Sequence, residues 1–328
     1  MINLYTLSGN VFKQVVHDSA ESIYEDPMWI DLLNITPEEE ARVESYLGID
    51  IRTRAELKQI EISQRLYHSR GALYMTAIIV AQAETTMPES QSVTFILYKN
   101  YLITVRYSQL RIFKTFSTHI TKNKQEGMAN AHTIFTGLMG VTIGRIGDIL
   151  EAARENIDNA AHAIFQASAS AVDAKIQNID YKDVMSKIGC NGRLISKARE
   201  SLVSLDRVIT YAMQSNMVGF NSEIRSKLQV LLKDIASLSD YANFLSSETT
   251  FLLDATLGMI NIEQNKIIKI MSVMASIFLP PTLIASIYGM NFHIIPELTW
   301  QYGYPYAITL MILSIFLPYK YCKKHGWF

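Results

Sequence analysis

The spacing of apolar residues changes character near residue 108. Before it, they alternate or run in short blocks rich in Ile, Val, Tyr and Thr: Trp29–Leu33, Leu73–Ala81, Ser92–Leu97 and Tyr101–Tyr107. Such blocks predict strands, with Lys99-Asn100 as a tight hairpin turn between the last two. Thr36-Pro37-Glu38-Glu39 predicts a helix start, because Thr36 caps, Pro37 suits the first turn and Glu39 completes a capping box. Thr53–Glu61 predicts a second short helix. From Gln109 onward the spacing is helical, over Ala131–Gln177, Leu194–Met217 and Ser222–Leu245. Gly189-Cys190-Asn191-Gly192 reads as a turn between helices. Gly137, Gly140, Gly144 and Gly147 read as a close helix–helix contact, since no strand precedes them as a phosphate loop requires. A last helical pattern starts near Ser246 and finds no clear stop before Tyr288. Its first half is soluble in character and its second half is membrane-like.

Charge sharpens that contrast. Ile270–Phe292 and Leu298–Tyr319 are runs of 23 and 22 residues without Asp, Glu, Lys or Arg. Each is long enough to cross a hydrocarbon core of ~30 Å as a helix. The connector between them carries no Lys or Arg. Lys266 and Lys269 flank the first run, and Lys320, Lys323 and Lys324 flank the second on the same side. The positive-inside rule therefore places both termini in the cytoplasm and the connector outside. Tyr288, Trp300, Tyr302, Tyr304 and Tyr306 fall at one interface, and Tyr319, Tyr321 and Trp327 at the other, as in an aromatic belt. Pro280-Pro281 predicts a kink within the first span. Two spans enclose no pore, so a conduction pathway needs several chains about an axis.

The net charge of −1 hides an asymmetry. Five lysines against Glu297 make the part after Gln264 +4, which leaves −5 for the rest. A mildly acidic remainder gives no reason to expect nucleic acid. Cys190 and Cys322 have no metal or redox spacing, which fits a cytosolic soluble part. The amino terminus lacks the pattern of a cleaved signal peptide. The histidines His17, His68, His119, His132, His162, His293 and His325 are scattered without ligand-type pairing. No nucleophile–base constellation or phosphate loop emerges, so an enzyme is the least favoured class.

The C-terminal region reads Asn261-Ile-Glu-Gln-Asn265-Lys, then Phe278-Leu-Pro-Pro-Thr282, then Tyr288-Gly-Met-Asn-Phe292. Pro296-Glu297-Leu298, Trp300 and Gly303-Tyr304-Pro305 follow, and Lys323-Lys324-His325-Gly326-Trp327-Phe328 closes the chain. This resembles the CorA family of magnesium transporters across the whole membrane region. Trp29-Ile30-Asp31-Leu32 and the Thr36-capped helix resemble that family's N-terminal domain.

The resemblance implies an α+β cytosolic domain followed by long helices and two C-terminal transmembrane helices, assembled as a funnel-shaped homopentamer. The expected division is 1–108 (α/β), 109–245 (helical), 246–288 (stalk and pore-lining first span), 289–303 (outer connector), 304–319 (second span) and 320–328 (basic cytosolic tail). The expected activity is passage of hydrated Mg²⁺, with Co²⁺ or Ni²⁺ as further ions, down its gradient through the inner membrane, gated by intracellular Mg²⁺. No cofactor is implied; Mg²⁺ is cargo and regulator, and membrane lipid is the surrounding partner.

By the same resemblance Gly289, Met290 and Asn291 form the selectivity filter. Asn265, Ile268, Met271, Leu279 and Thr282 line the pore, and the apolar members gate it by dewetting. Glu297 raises cation concentration at the outer mouth. Lys266 and Lys269 belong to a basic collar at the inner mouth. Asp254 faces the vestibule, and Glu84, Glu89, Asp234 and Asp240 are candidates for sensing Mg²⁺ between subunits. Two departures stand out: His293 occupies a position often acidic in the family, and Ile295 one where methionine is common. The competing readings are a zinc transporter of the related branch, proton-coupled, and a non-conducting membrane scaffold.

Overall fold

The computed structural model describes residues 1–8, 11–17, 27–51, 64–85, 87–122, 130–170, 180–215, 219–291 and 295–325. The predicted helix Thr53–Glu61 and the substitution at His293 lie outside these residues. The chain divides into two compact units, Met1–Leu253 and Asp254–Phe328.

The first unit is built on a seven-stranded sheet of order β2-β1-β3-β7-β6-β5-β4. Its strands are β1 (Ile2–Ser8), β2 (Val11–His17), β3 (Trp29–Leu33), β4 (Leu66–Ser69), β5 (Ala72–Ala81), β6 (Glu89–Tyr98) and β7 (Tyr101–Arg106). Every neighbour pair is antiparallel except β3 with β7. The four predicted strands are present, with β6 longer at both ends. β1, β2 and β4 escaped the sequence reading. The β6–β7 hairpin turns at Lys99-Asn100, with Lys99 at φ 53. Arg70 and Gly71, both at positive φ, join β4 to β5, the backbone that a two-residue hairpin loop of matching twist needs.

Helix α1 (Pro37–Leu47) starts as predicted. Thr36 accepts from the Glu39 backbone N–H, and the Glu39 carboxylate accepts from the Thr36 N–H. Its Val43 and Leu47 pack into the core on one face of the sheet with Ile30, Leu32, Ile103 and Val105. Side chains alternate along a strand, so Trp29 and Asp31 face the opposite side. There Trp29 stacks on Tyr5 with ring centroids 4.2 Å apart and meets Phe113 and Phe116 of α2 (Arg111–Lys122). Phe95 of β6 meets Phe135 of α3 (Ala131–Ser170) edge-on. Helix α4 (Tyr181–Gln214) packs against β5.

Gly189–Gly192 is a correction. These residues lie inside α4, which begins at the Asp180 cap and continues through them. Asn191 spends its amide on the Lys187 carbonyl four residues back, at 3.0 Å, which is helical bonding rather than turn bonding. A Cβ on Gly192 would sit 3.3 Å from Thr249 Cγ2, so this glycine serves close helix packing. Gly140 and Gly147 of α3 face Leu231 and Leu238, where an added Cβ would make ordinary contact at 3.8 and 3.6 Å, and at Gly144 it would meet open space, so the close contact expected of these glycines is not demanded by the packing.

Helix α5 runs unbroken from Ser222 to Tyr288. The division expected at Leu245/Ser246 is absent, because nothing between those residues removes a donor or caps a carbonyl. Among the described residues two helices combine the length and hydropathy needed to cross a membrane: α3 over Ala131–Phe165, and α5. The apolar window of α3 is 56% buried within the protein and that of α5 only 6%. α3 is therefore a core helix, whereas α5 leaves its apolar surface bare. The second expected span corresponds to α6 (Gly303–Lys324). It is not one of the two, since Tyr304, Pro305, Tyr306 and the terminal lysines dilute its apolar centre. That centre still exposes Ile312, Leu313, Phe316 and Leu317. At 1.5 Å per residue its 22 residues reach about 33 Å.

Candidate pore helix and outer connector

Unit Asp254–Phe328 carries the residues expected to handle the ion. Its part of α5 has two unlike faces. At ~100° per residue, Asp254, Asn261, Asn265, Ile268, Met271, Leu279 and Thr282 fall within an arc of about 120°. All seven are exposed, Ile268, Met271 and Leu279 by 61%, 63% and 66%. Val273, Ile277, Pro280, Pro281, Ile284 and Tyr288 occupy a facing arc of about 100°. These are buried or half-buried within the single chain, Val273 to 4%. Lys266 and Lys269 lie outside the exposed stripe.

The stripe is amphipathic along its length. An acid, Asp254, and two amides, Asn261 and Asn265, come first; apolar Ile268, Met271 and Leu279 follow, and the Thr282 hydroxyl comes last. Thr282 Oγ1 donates to the Phe278 carbonyl at 2.7 Å. α5 stays helical through Pro280-Pro281, although neither proline nitrogen can donate. The carbonyls of Ser276 and Ile277 therefore lack their usual partners four residues on.

Helix α5 ends at Tyr288, and the Gly289-Met290-Asn291 tripeptide follows it directly. Gly289 N–H still donates to the Ala285 carbonyl at 2.9 Å, and Met290 N–H tightens to the Ile287 carbonyl at 3.3 Å. A Cβ on Gly289 would lie 3.1 Å from the Ala285 oxygen, so the glycine allows the closing turn. Asn291 is exposed immediately beyond it. The connector resumes with a 3-10 turn, Pro296–Thr299, which carries the half-buried Glu297. Trp300 N–H donates to the Glu297 carbonyl, and Gly303 N–H to the Trp300 carbonyl at 3.0 Å. A Cβ on Gly303 would run into the Glu297 carbonyl oxygen. The Trp300 ring packs against Tyr302 and Tyr306, with centroids 6.3 and 5.8 Å away.

The carboxylates expected to sense Mg²⁺ lie in the first unit. Glu84 is paired with both Arg111 and Arg145. Glu89 accepts from the Gln91 amide at 3.2 Å. Asp234 and Asp240 are exposed on α5. Among the described residues no three His, Cys, Asp or Glu side chains gather as a metal site within one chain. Sequence reasoning overlooked Glu248, whose buried Oε2 has no hydrogen-bond partner among the described residues. Only its place on α5 near the end of the first unit could have flagged it.

Comparison with known proteins gives one answer. The family model of the CorA-like Mg²⁺ transporter protein matches residues 24–324. The magnesium transport proteins CorA of Salmonella typhimurium and of Escherichia coli are each 30% identical to the chain, over the full length of both partners. The complete structure of the CorA magnesium transporter from Methanocaldococcus jannaschii superposes with a TM-score of 0.77 at 19% identity, covering 100% of this chain and 99% of that one. The ZntB cytoplasmic domain of Vibrio parahaemolyticus shares the fold more distantly, with a TM-score of 0.52 over 79% of this chain. With the family model spanning nearly the whole chain and relatives aligned from end to end, the chain belongs to the CorA-like Mg²⁺ transporter family.

Proposed function

We propose that the chain forms a channel-like pathway for hydrated Mg²⁺, with the α5 stripe as its wall and Asn291 at its outer mouth. The observation that carries this reading is the division of α5 into a face covered by its own chain and an opposite bare face leading to Gly289-Met290-Asn291. A bare stripe bearing amides and a hydroxyl is poorly matched to lipid. It is well matched to a shared axis, and closure about that axis needs several copies. A homopentamer in the inner membrane, with α5 inside, α6 outside and both termini cytoplasmic, is the assembly the family relationship favours.

The chemistry follows from the ion. Mg²⁺ dehydrates reluctantly and usually keeps several waters. A ring of Asn291 carboxamide oxygens accepts hydrogen bonds from that water shell without the grip of carboxylates. Glu297 adds negative charge near the mouth. Ile268, Met271 and Leu279 make an apolar constriction that blocks the ion when it dewets. The membrane potential supplies the drive, about 4.6 kcal/mol per 100 mV for a divalent ion. Co²⁺ and Ni²⁺ are further candidate cargo. Control by intracellular Mg²⁺ would act through Asp254, Glu89, Asp234 or Asp240 across subunits. Glu84 is the weakest candidate, because two arginines already compensate it.

The test is Mg²⁺ entry into liposomes that hold the purified protein and a Mg²⁺-sensitive dye, with Asn291→Ala alongside. Influx in the parent protein and its loss in the variant is the expected result. Zn²⁺ influx that follows a pH gradient, with no Mg²⁺ influx, would move the chain to the zinc branch. No flux of either ion would leave the scaffold reading standing.

A further inference from the structure

The first unit contains a cavity of about 410 Å³ that the ion pathway does not use. Its origin is the unequal length of two paired strands. β4 has four residues and pairs only with Ala72–Met75, whereas β5 continues to Ala81. The outer edge of β5 beyond Met75 is closed by other means. Thr76 N–H donates to the Arg65 carbonyl at 2.9 Å, and Ile78 N–H donates to the Ser204 hydroxyl of α4 at 2.8 Å. The cavity opens between this edge and the α4 face that carries Ser196, Arg199, Val203 and Arg207, residues at helical spacing.

Its lining is strongly asymmetric in charge. Arg65, Arg199 and Arg207 stand against one acid, Glu200, leaving two positive charges in excess. Glu200 is already engaged, accepting from Ser90 Oγ at 2.8 Å and from Lys197 Nζ at 3.1 Å. Among the described residues neither Arg199 nor Arg207 has an ion pair, so their guanidinium donors are available. Leu66, Ile78 and Val203 give the same cavity an apolar wall, and Thr76 and Ser196 add hydroxyls.

Unpaired guanidinium forks match phosphoryl oxygens in shape and charge. The volume lies in the range of small-molecule sites and exceeds what a bare phosphate fills. We propose that this cavity binds an organic polyphosphate of nucleotide size, its phosphoryl groups on Arg65, Arg199 and Arg207 and its apolar body against Leu66, Ile78 and Val203.

The probe is metal-free ATP, titrated calorimetrically with EDTA into the full-length protein in detergent, with inorganic phosphate as a second titrant. Arg199→Ala and Arg207→Ala are the diagnostic variants. Both positions are exposed, so thermal unfolding without ligand should match the parent protein. Arg193→Ala, on the same helix but outside the cavity, is the control. The expected result is saturable ATP binding that is tighter than phosphate binding. It should weaken about tenfold or more in each diagnostic variant, the usual loss for a charge-assisted hydrogen bond, and stay unchanged in the control. Three results would each overturn the proposal: no ATP binding, equal affinity for ATP and phosphate, or equal weakening in Arg193→Ala.

Discussion

Arg106 clamps Asp31 with two parallel hydrogen bonds, Nε to Oδ1 at 2.9 Å and Nη2 to Oδ2 at 2.7 Å, across the β3–β7 pair. Both side chains are buried, Asp31 to 1%. Thr104 Oγ1 donates to Oδ1 and Asn3 Nδ2 to Oδ2, so the carboxylate is saturated. The guanidinium also lies 4.4 Å from the Phe113 ring centroid and donates to the Ser108 carbonyl. The network joins β1, β3 and β7 to α2 at the one parallel contact of the sheet. The nearby Tyr5 phenol is pushed up to about 12 by its burial and by the Asp31 charge.

Asp31→Asn should therefore cost about 3–5 kcal/mol, because it strands a buried guanidinium. Denaturant unfolding of the protein, followed through tryptophan emission, reads the loss. Trp29 is a built-in reporter, since its indole N–H donates to Thr104 within the network. A shift below 1 kcal/mol would show that water enters and rescues Arg106.

His132 predicts an acid-side loss of stability. Burial lowers its pKa below 6.5, and its ring packs edge-on against Phe220 at 5.1 Å. The unfolded chain binds this proton more readily than the folded one, so stability is full above pH 6.5. It falls as pH drops from 6.5 through the lowered folded value. In His132→Phe the slope across that window should flatten. An unchanged slope would assign the acid sensitivity to other groups.

Gly303→Ala should disturb the connector rather than the first unit. The added methyl meets the Glu297 backbone oxygen, which no side-chain rotation can relieve. Overpacking of this kind costs about 1–3 kcal/mol. Mg²⁺ influx should drop while the unfolding of the first unit stays as in the parent protein. Normal influx would mean that the turn at Trp300–Gly303 opens without consequence.

Met271 and Met274 offer a paired test of the proposed pore face. Both are exposed in the single chain, at 63% and 52%. They lie three positions apart, placing Met274 about 60° further round and outside the stripe. Met271→Ala should widen the apolar constriction and raise Mg²⁺ leak with Mg²⁺ on both sides. Met274→Ala should leave the leak unchanged. Equal effects would argue that α5 is turned differently about the axis.

The sequence was most legible where one local rule decided the outcome. Thr36 and Glu39 announced a capping box, and it formed. Lys99-Asn100 announced a hairpin, and it formed without glycine. β1, β2 and β4 were missed although β1–β2 and β4–β5 are local hairpins, because polar residues interrupt their short apolar runs and only the pairing of β1 with β3, from Tyr5–Trp29 to Ile2–Leu32, ties the first hairpin into the sheet. Gly189–Gly192 was misread because glycine signals both a turn and a close helix contact, and only Thr249 across the interface separates the two.

Membrane-length apolar runs, the Gly289-Met290-Asn291 tripeptide and the family were therefore written in the order of residues, since charge-free length and a contiguous motif are one-dimensional properties. What needed the tertiary structure was everything set by partners distant in sequence. Burial separated α3, a core helix, from α5, although both are long and apolar. Pairing with Arg111 and Arg145 neutralised Glu84. The short β4 beside the long β5 opened an arginine-lined cavity that no motif marks. The physical reason is the same in each case: hydropathy and capping act over one or two helical turns, whereas burial and charge compensation depend on which remote side chains the fold brings within a few ångströms.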